Sequence, residues 1–144
     1  MGEHAAPSVR SSLPSSVNLL LDTHAAIWWW TAPERIGARS RRSLENRANL
    51  VYFSATSAYE LAQKQRWRDA LLPPALLQNL AAHLKAEEWS ILPISLEHAL
   101  YAGRHSSSHR DPLDRLLAAQ ADLENLILVT CDPAFAAFNI STLW

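Results

Sequence analysis

Four acids stand where this chain could do hydrolytic chemistry: Asp22, Glu60, Asp114 and Asp132. Each falls where an apolar, strand-like run hands over to a helix-like one. A carboxylate is a hard oxygen donor, and four of them in a chain with no cysteine cluster suit Mg²⁺ or Mn²⁺. Each acid also has an ordinary reading. Asp111 is placed as an N-cap with Pro112 at the first helical position, and Asp114 in that first turn faces the positive helix end. Ser57-Ala58-Tyr59-Glu60 matches a capping box, and Glu60 with Lys64 makes a favourable i,i+4 pair. Taken singly, these acids are explained by helix chemistry as well as by a metal.

The elements that must position them follow from apolar runs and breakers. Val17 to Asp22 reads as a strand buried on both faces, with Asp22 at its carboxyl end, where open α/β sheets bind ligands. A helix follows with Trp28, Trp29 and Trp30; three consecutive helical positions fan over roughly 200°, so at least one ring is expected to be exposed or to meet a partner. Ala38 to Arg47 forms a basic helix, either a solvated face or an RNA-steering patch. Leu50 to Phe53 is a strand, and Ser54 caps a helix to about Arg66. Pro73-Pro74 opens one helix to about Glu88. Trp89 to Ile94 is a weaker strand whose Pro93 argues for a sheet edge or a strand end. Ser95 caps a helix over Leu96 to Gly103, the helix from Pro112 runs to about Glu124, and Asn125 to Thr130 is the last clear buried strand. A short helix around Phe135 and a final strand within Ile140 to Leu143 complete the chain. Strands alternating with helices imply a mainly parallel sheet of four to five strands between two helical layers. Parallel order brings the four acids to one end of it.

Composition narrows the chemistry. The chain has 144 residues, 49% of them hydrophobic, which suits a single domain over 18–144 behind a Ser- and Pro-containing tail at 1–17 expected to be disordered. A net charge of -1 excludes a general polyanion binder. Cys131 stands alone, so neither an internal disulfide nor a cysteine zinc cluster forms. Glycine occurs only at positions 2, 37 and 103, which leaves no phosphate-cradling loop or dinucleotide fingerprint. The absence of an apolar run of about 18 residues or of a secretory leader points to a cytoplasmic protein with no membrane span.

Leu19-Leu20-Leu21-Asp22-Thr23-His24, Ser54 through Lys64, His109 through Ala121, and Leu128-Val129-Thr130-Cys131-Asp132 resemble, in order and spacing, the four acidic motifs of PIN-domain ribonucleases. They are most similar to those of the VapC toxin branch of bacterial type II toxin–antitoxin pairs. The resemblance covers about Asn18 to Trp144, with Tyr59 where the branch often has Trp and Leu113 where Phe is common. It implies a PIN-like three-layer αβα fold and a Mg²⁺- or Mn²⁺-dependent endoribonuclease that hydrolyses RNA through a metal-activated water, leaving a 5′-phosphate and a 3′-hydroxyl. It also implies an antitoxin partner and a homodimer. Asp22, Glu60, Asp114 and Asp132 are then the catalytic metal ligands. Thr23, Asp111, Arg115 and Thr130 are expected to orient ligands or substrate, Arg110 and Arg115 contacting phosphate or pairing with acids. A non-catalytic PIN-like RNA- or protein-binding module and a related Mg²⁺-dependent DNA nuclease are the alternatives.

Overall fold

The computed structural model describes residues 16–144. The tail expected over 1–17 lies outside these except for its last two residues. Val17 is half-buried, donates its N–H to Asn49 Oδ1 at 2.9 Å and accepts from the Leu50 N–H at 3.2 Å. Val17 is thus tied to the Asn49 turn and to the strand that begins at Leu50.

Five parallel strands form one sheet: β1 (Asn18–Leu21), β2 (Leu50–Ser54), β3 (Ser90–Leu92), β4 (Ile127–Val129) and β5 (Thr142–Leu143), in the order β3-β2-β1-β4-β5. β1 is central because its three leucines are wholly enclosed and point to both faces. Leu19 and Leu21 join Val51, Phe53 and Val129 on one face, and Leu20 joins Leu128, Leu117 and Phe135 on the other. β3 is an edge strand, as Pro93 required.

Among the described residues, seven α-helices flank the sheet: α1 (Thr23–Thr31), α2 (Ala38–Glu45), α3 (Ala55–Arg66), α4 (Pro74–Gln78), α5 (Leu80–Ala86), α6 (Leu96–Arg104) and α7 (Pro112–Leu123). 3₁₀ turns occupy Pro33–Arg35 and Pro133–Ala137. The single helix expected from Pro73 to Glu88 is two helices. The chain breaks at Asn79, whose backbone leaves the helical region and whose side-chain amide donates to the Ala75 carbonyl at 2.8 Å, a local bond that competes with helix continuation. None of the rings in the tryptophan run is fully exposed, and all three stay half-buried against the core. Trp29 and Trp30 both reach Trp89, at 5.8 and 5.5 Å between ring centroids, and Trp28 meets Trp144 at 5.7 Å. Neighbouring elements on either side of α1 cover what a single core could not.

The chain builds β1, β2 and β3 outward on one side, then returns to add β4 and β5 on the other. The strand order therefore reverses between β1 and β4, which opens a crevice at the carboxyl ends of these two strands.

Candidate metal centre

Asp22 and Asp132 arrive at that crevice directly from β1 and β4. Asp22 caps α1 and is 8% exposed. Its Oδ2 accepts from Thr130 Oγ1 at 2.8 Å, a bond that spans the β1–β4 junction. Thr130 Oγ1 in turn accepts the Asp132 N–H at 3.0 Å, so one hydroxyl links both acidic segments. Asp132 caps the 3₁₀ turn at 133–137 by accepting the Ala134 N–H at 2.9 Å, and it remains exposed.

Asp114 comes from the first turn of α7, whose N-cap Asp111 accepts the Leu113 N–H at 2.9 Å. Its Oδ2 lies 2.8 Å from His109 Nε2. Burial pushes the Asp22 carboxyl up to about 6, against the pull of the Thr130 hydroxyl, and the charge of Asp114 raises it further. Burial likewise raises Asp114, opposed by the His109 hydrogen bond, with smaller upward pushes from Asp111 and Asp132. Asp114 therefore lies within electrostatic reach of both Asp22 and Asp132.

Glu60 is placed less directly. α3 is capped by Ser54, which accepts the Thr56 N–H, so Ser57 lies inside the helix and the capping box expected at Ser57 to Glu60 does not form. Ser57 Oγ instead lies 2.8 Å from Thr23 Oγ1, beside Asp22. Glu60 is one turn further along the same face of α3, half-buried. Lys64, its expected partner, lies 3.8 Å from Asp69 instead. Glu60 is thus freed from both helix roles that the sequence offered it.

Arg115 is half-buried and pairs with no acid among the described residues. Its guanidinium donates to the carbonyls of Ala102, Ser107, His109 and His105, tying the end of α6 and the following loop to α7. It acts on the acids through His109. Arg110 is exposed. Gln120, to which no role was assigned from sequence, is wholly buried; it accepts from Ser54 Oγ at 2.5 Å and donates to the Pro93 carbonyl at 3.2 Å. It locks α7 to the carboxyl end of β2 and so fixes the height of Asp114. A polar side chain amid Leu117, Ala118 and Ala121 was the available signal.

As the side chains lie, no three His, Cys, Asp or Glu among the described residues stand close enough to enclose a metal ion. The donor set nevertheless fits one kind of cation. Every candidate ligand is a hard carboxylate oxygen, two of the groups are buried beside like charges, and Mg²⁺ keeps several waters while taking only one or two carboxylates directly.

The PIN domain profile matches residues 19–140. The chain is 33% identical over 117 residues to Ribonuclease VapC22 of Mycobacterium tuberculosis (strain ATCC 25618 / H37Rv), covering 79% of this chain and 86% of that protein. Two solved structures share its fold: VapBC2 from Rickettsia felis bound to a DNA fragment from their promoter, at TM-score 0.65, and VapBC-1 from nontypeable Haemophilus influenzae, at 0.63. Both are 18% identical and each covers 88% of this chain, which spans 97% and 96% of theirs. Among the described residues, no helix is long and apolar enough to cross a membrane.

Proposed function

Because the chain belongs to the PIN domain family, alongside the VapC ribonucleases, we propose that it is a Mg²⁺- or Mn²⁺-dependent endoribonuclease, the toxin of a type II toxin–antitoxin pair working in the cytoplasm, with residues 18–144 forming the catalytic domain. The observation that carries this reading is Asp22, a carboxyl buried at the β1–β4 crevice with the charge of Asp114 acting on it. Buried like charges call for a cation.

Asp22, Glu60, Asp114 and Asp132 would hold that cation, directly or through water. When bound, a divalent ion there supplies Lewis-acid polarisation and activates water for attack on a phosphodiester. The chain's own residues prepare the place. Thr130 holds Asp22 and the Asp132 backbone in one frame, His109 bonds Asp114, and Thr23 bonded to Ser57 ties α3, which carries Glu60, to the start of α1.

The test is cleavage of a panel of labelled tRNA, ribosomal RNA fragments and single-stranded DNA with Mg²⁺ or EDTA, using wild type, Glu60→Gln and Asp132→Asn. RNA cutting that stops in EDTA and falls about 100-fold or more in each variant is expected, since losing even a group that only supports a metal ligand costs 10- to 100-fold. Cutting of DNA alone would favour the DNA nuclease. A non-catalytic binding module is favoured by one observation, the lack of a tight three-ligand cluster in the described residues. RNA binding without cleavage in Mg²⁺ or Mn²⁺ would establish it.

Two partners complete the proposal. A cognate antitoxin would occupy the toxin by placing a cation among the acids and an apolar helix on the adjoining surface. A second copy of this chain would pack on the outer face of α6, where Glu97, Leu100, Tyr101, Arg104 and Leu123 line an apolar groove. Glu97 and Arg104 flank Leu100 at opposite ends, so an antiparallel two-fold pairing of α6 sets each Glu97 against Arg104 of the partner subunit. Leu100→Glu is expected to convert the dimer to monomer by light scattering; an unchanged mass would remove this face from the assembly.

A further inference from the structure

The acids account for hydrolysis and not for how a flexible strand is held while it is cut. A run of rings leads away from them. His24 lies two residues beyond Asp22 and is exposed, and its charge is near enough to favour the Asp22 carboxylate. One turn further along the same face of α1, the ring of Trp28 stands 5.9 Å from that of His24. Trp28 meets Trp144 nearly edge-on, at 5.7 Å and 67°. Trp144 then lines a cavity of about 560 Å³ together with Thr130, Cys131 and Asp132, so the last ring of the run shares a wall with one of the acids.

Two features hold this arrangement in place. Gly37 lies directly against Trp144: a Cβ there would stand 2.7 Å from the Trp144 carbonyl carbon and 2.8 Å from its ring, so a larger residue would displace the ring. Arg35, exposed on the 3₁₀ turn, lies over Trp28 with its guanidinium carbon 4.4 Å from the ring centroid. A stacked guanidinium keeps its planar outer face and its N–H edge free for a base or a phosphate.

We propose that Trp28, Trp144 and Arg35 form a binding platform for single-stranded RNA beside the metal centre, the rings taking a base next to the scissile phosphate and Arg35 a neighbouring phosphate. The proposal rests on the ribonuclease reading above and names positioning residues for it. Trp28 and Trp144 are half-buried and the Arg35 guanidinium lies over the Trp28 ring, so a base stacks on that guanidinium or on Trp144, a surface that suits unpaired bases whatever their identity because every base presents a π-face. The cation supplies what the acids lack, an attraction for the backbone of the strand they are to cut.

The experiment uses the full chain and a 5′-fluorescein-labelled single-stranded 12-nucleotide oligoadenylate, with anisotropy read in EDTA across a salt series. Arg35→Gln is expected to weaken binding about 3- to 10-fold and to lower the salt slope by about 0.7, the value for one phosphate contact on a single strand. Trp28→Leu is expected to weaken it about 10-fold through lost stacking. In Mg²⁺ both variants raise KM while kcat stays within about two-fold, the pattern of lost uniform binding. A 5-iodouridine-substituted strand should crosslink to the peptide bearing Trp28 or Trp144. Arg66→Gln, at the end of α3, serves as the control with unchanged affinity. Because Trp28 also packs on the core, Arg35→Gln at its exposed site decides the matter if Trp28→Leu does not fold. Wild-type affinity and salt slope in Arg35→Gln, with crosslinks elsewhere, would overturn the platform and leave it as a protein-docking face. A wild-type chain that neither binds nor cuts RNA would instead remove the ribonuclease reading itself.

Discussion

Asp22→Asn is expected to abolish RNA cleavage and, in the same molecule, to raise the thermal stability of the metal-free protein. The first effect follows from losing a proposed ligand. The second follows from burial. The Asp22 carboxyl stands at about 6 in the folded chain and near 3.8 when unfolded, chiefly because burial disfavours its charge. As pH rises, the unfolded chain releases this proton first, so the metal-free fold loses stability between about pH 4 and pH 6 and does not regain it above. At pH 7 that displacement corresponds to about 3 kcal/mol against the charged form. Asparagine removes the charge and still accepts from Thr130 Oγ1. Thermal unfolding in EDTA at pH 7.5 should therefore put the variant roughly 10 °C above wild type, with the gap closing near pH 4. Adding Mg²⁺ should narrow the gap at pH 7.5, because the ion binds the native wild type and not the unfolded chain. A variant that is less stable than wild type in EDTA would show that Asp22 serves the fold rather than a cation.

Arg115→Ala is expected to be the most damaging change outside the four acids. Its guanidinium satisfies four carbonyls, from Ala102, His105, Ser107 and His109, and no other donor among the described residues is shown serving these side-chain contacts. Leaving partly buried acceptors without a charged donor costs about 2–4 kcal/mol in total, since the four bonds are not additive. The loop from His105 to Arg110 should then loosen, and His109 with it. Expected readouts are faster tryptic cutting after Arg104 or Arg110, a lower melting temperature, and cleavage activity reduced about 10- to 100-fold, the range for a residue that orients a metal ligand through another group. Arg115→Lys should recover little, because a point charge cannot span four acceptors. Wild-type proteolysis and activity in Arg115→Ala would mean that the loop orders itself without this fork.

Residues that act through local backbone geometry were the ones most legible in the chain. The runs at Leu19 and Leu128, the caps at Ser54, Ser95 and Asp111, and the edge character of the strand before Pro93 all depend on neighbours within a few positions, and each appears in the fold as read. The break at Asn79 was missed because a side-chain bond to the Ala75 carbonyl competes with helix propagation at short range, and an Asn inside a leucine-rich helical pattern signals this only weakly. The packing of the tryptophan run was not legible for the opposite reason. Whether three adjacent rings can be covered depends on Trp89 and Trp144, which lie some 60 and 115 positions away.

By itself, the sequence determined the alternation of strands and helices, hence a parallel sheet, and hence that acids following β1 and β4 emerge at one end of it. Tertiary structure alone decided how those acids are used. It put Thr130 between Asp22 and Asp132, gave Ser57 to Thr23 so that Glu60 has no capping duty, and turned Arg115 away from the acids to hold the loop beneath His109. The division has a physical cause. Strand and helix signals are repeated every two to four residues and add up along the chain, whereas a carboxylate's burial, partner and charge are set by single side chains brought together from positions as far apart as 22 and 130.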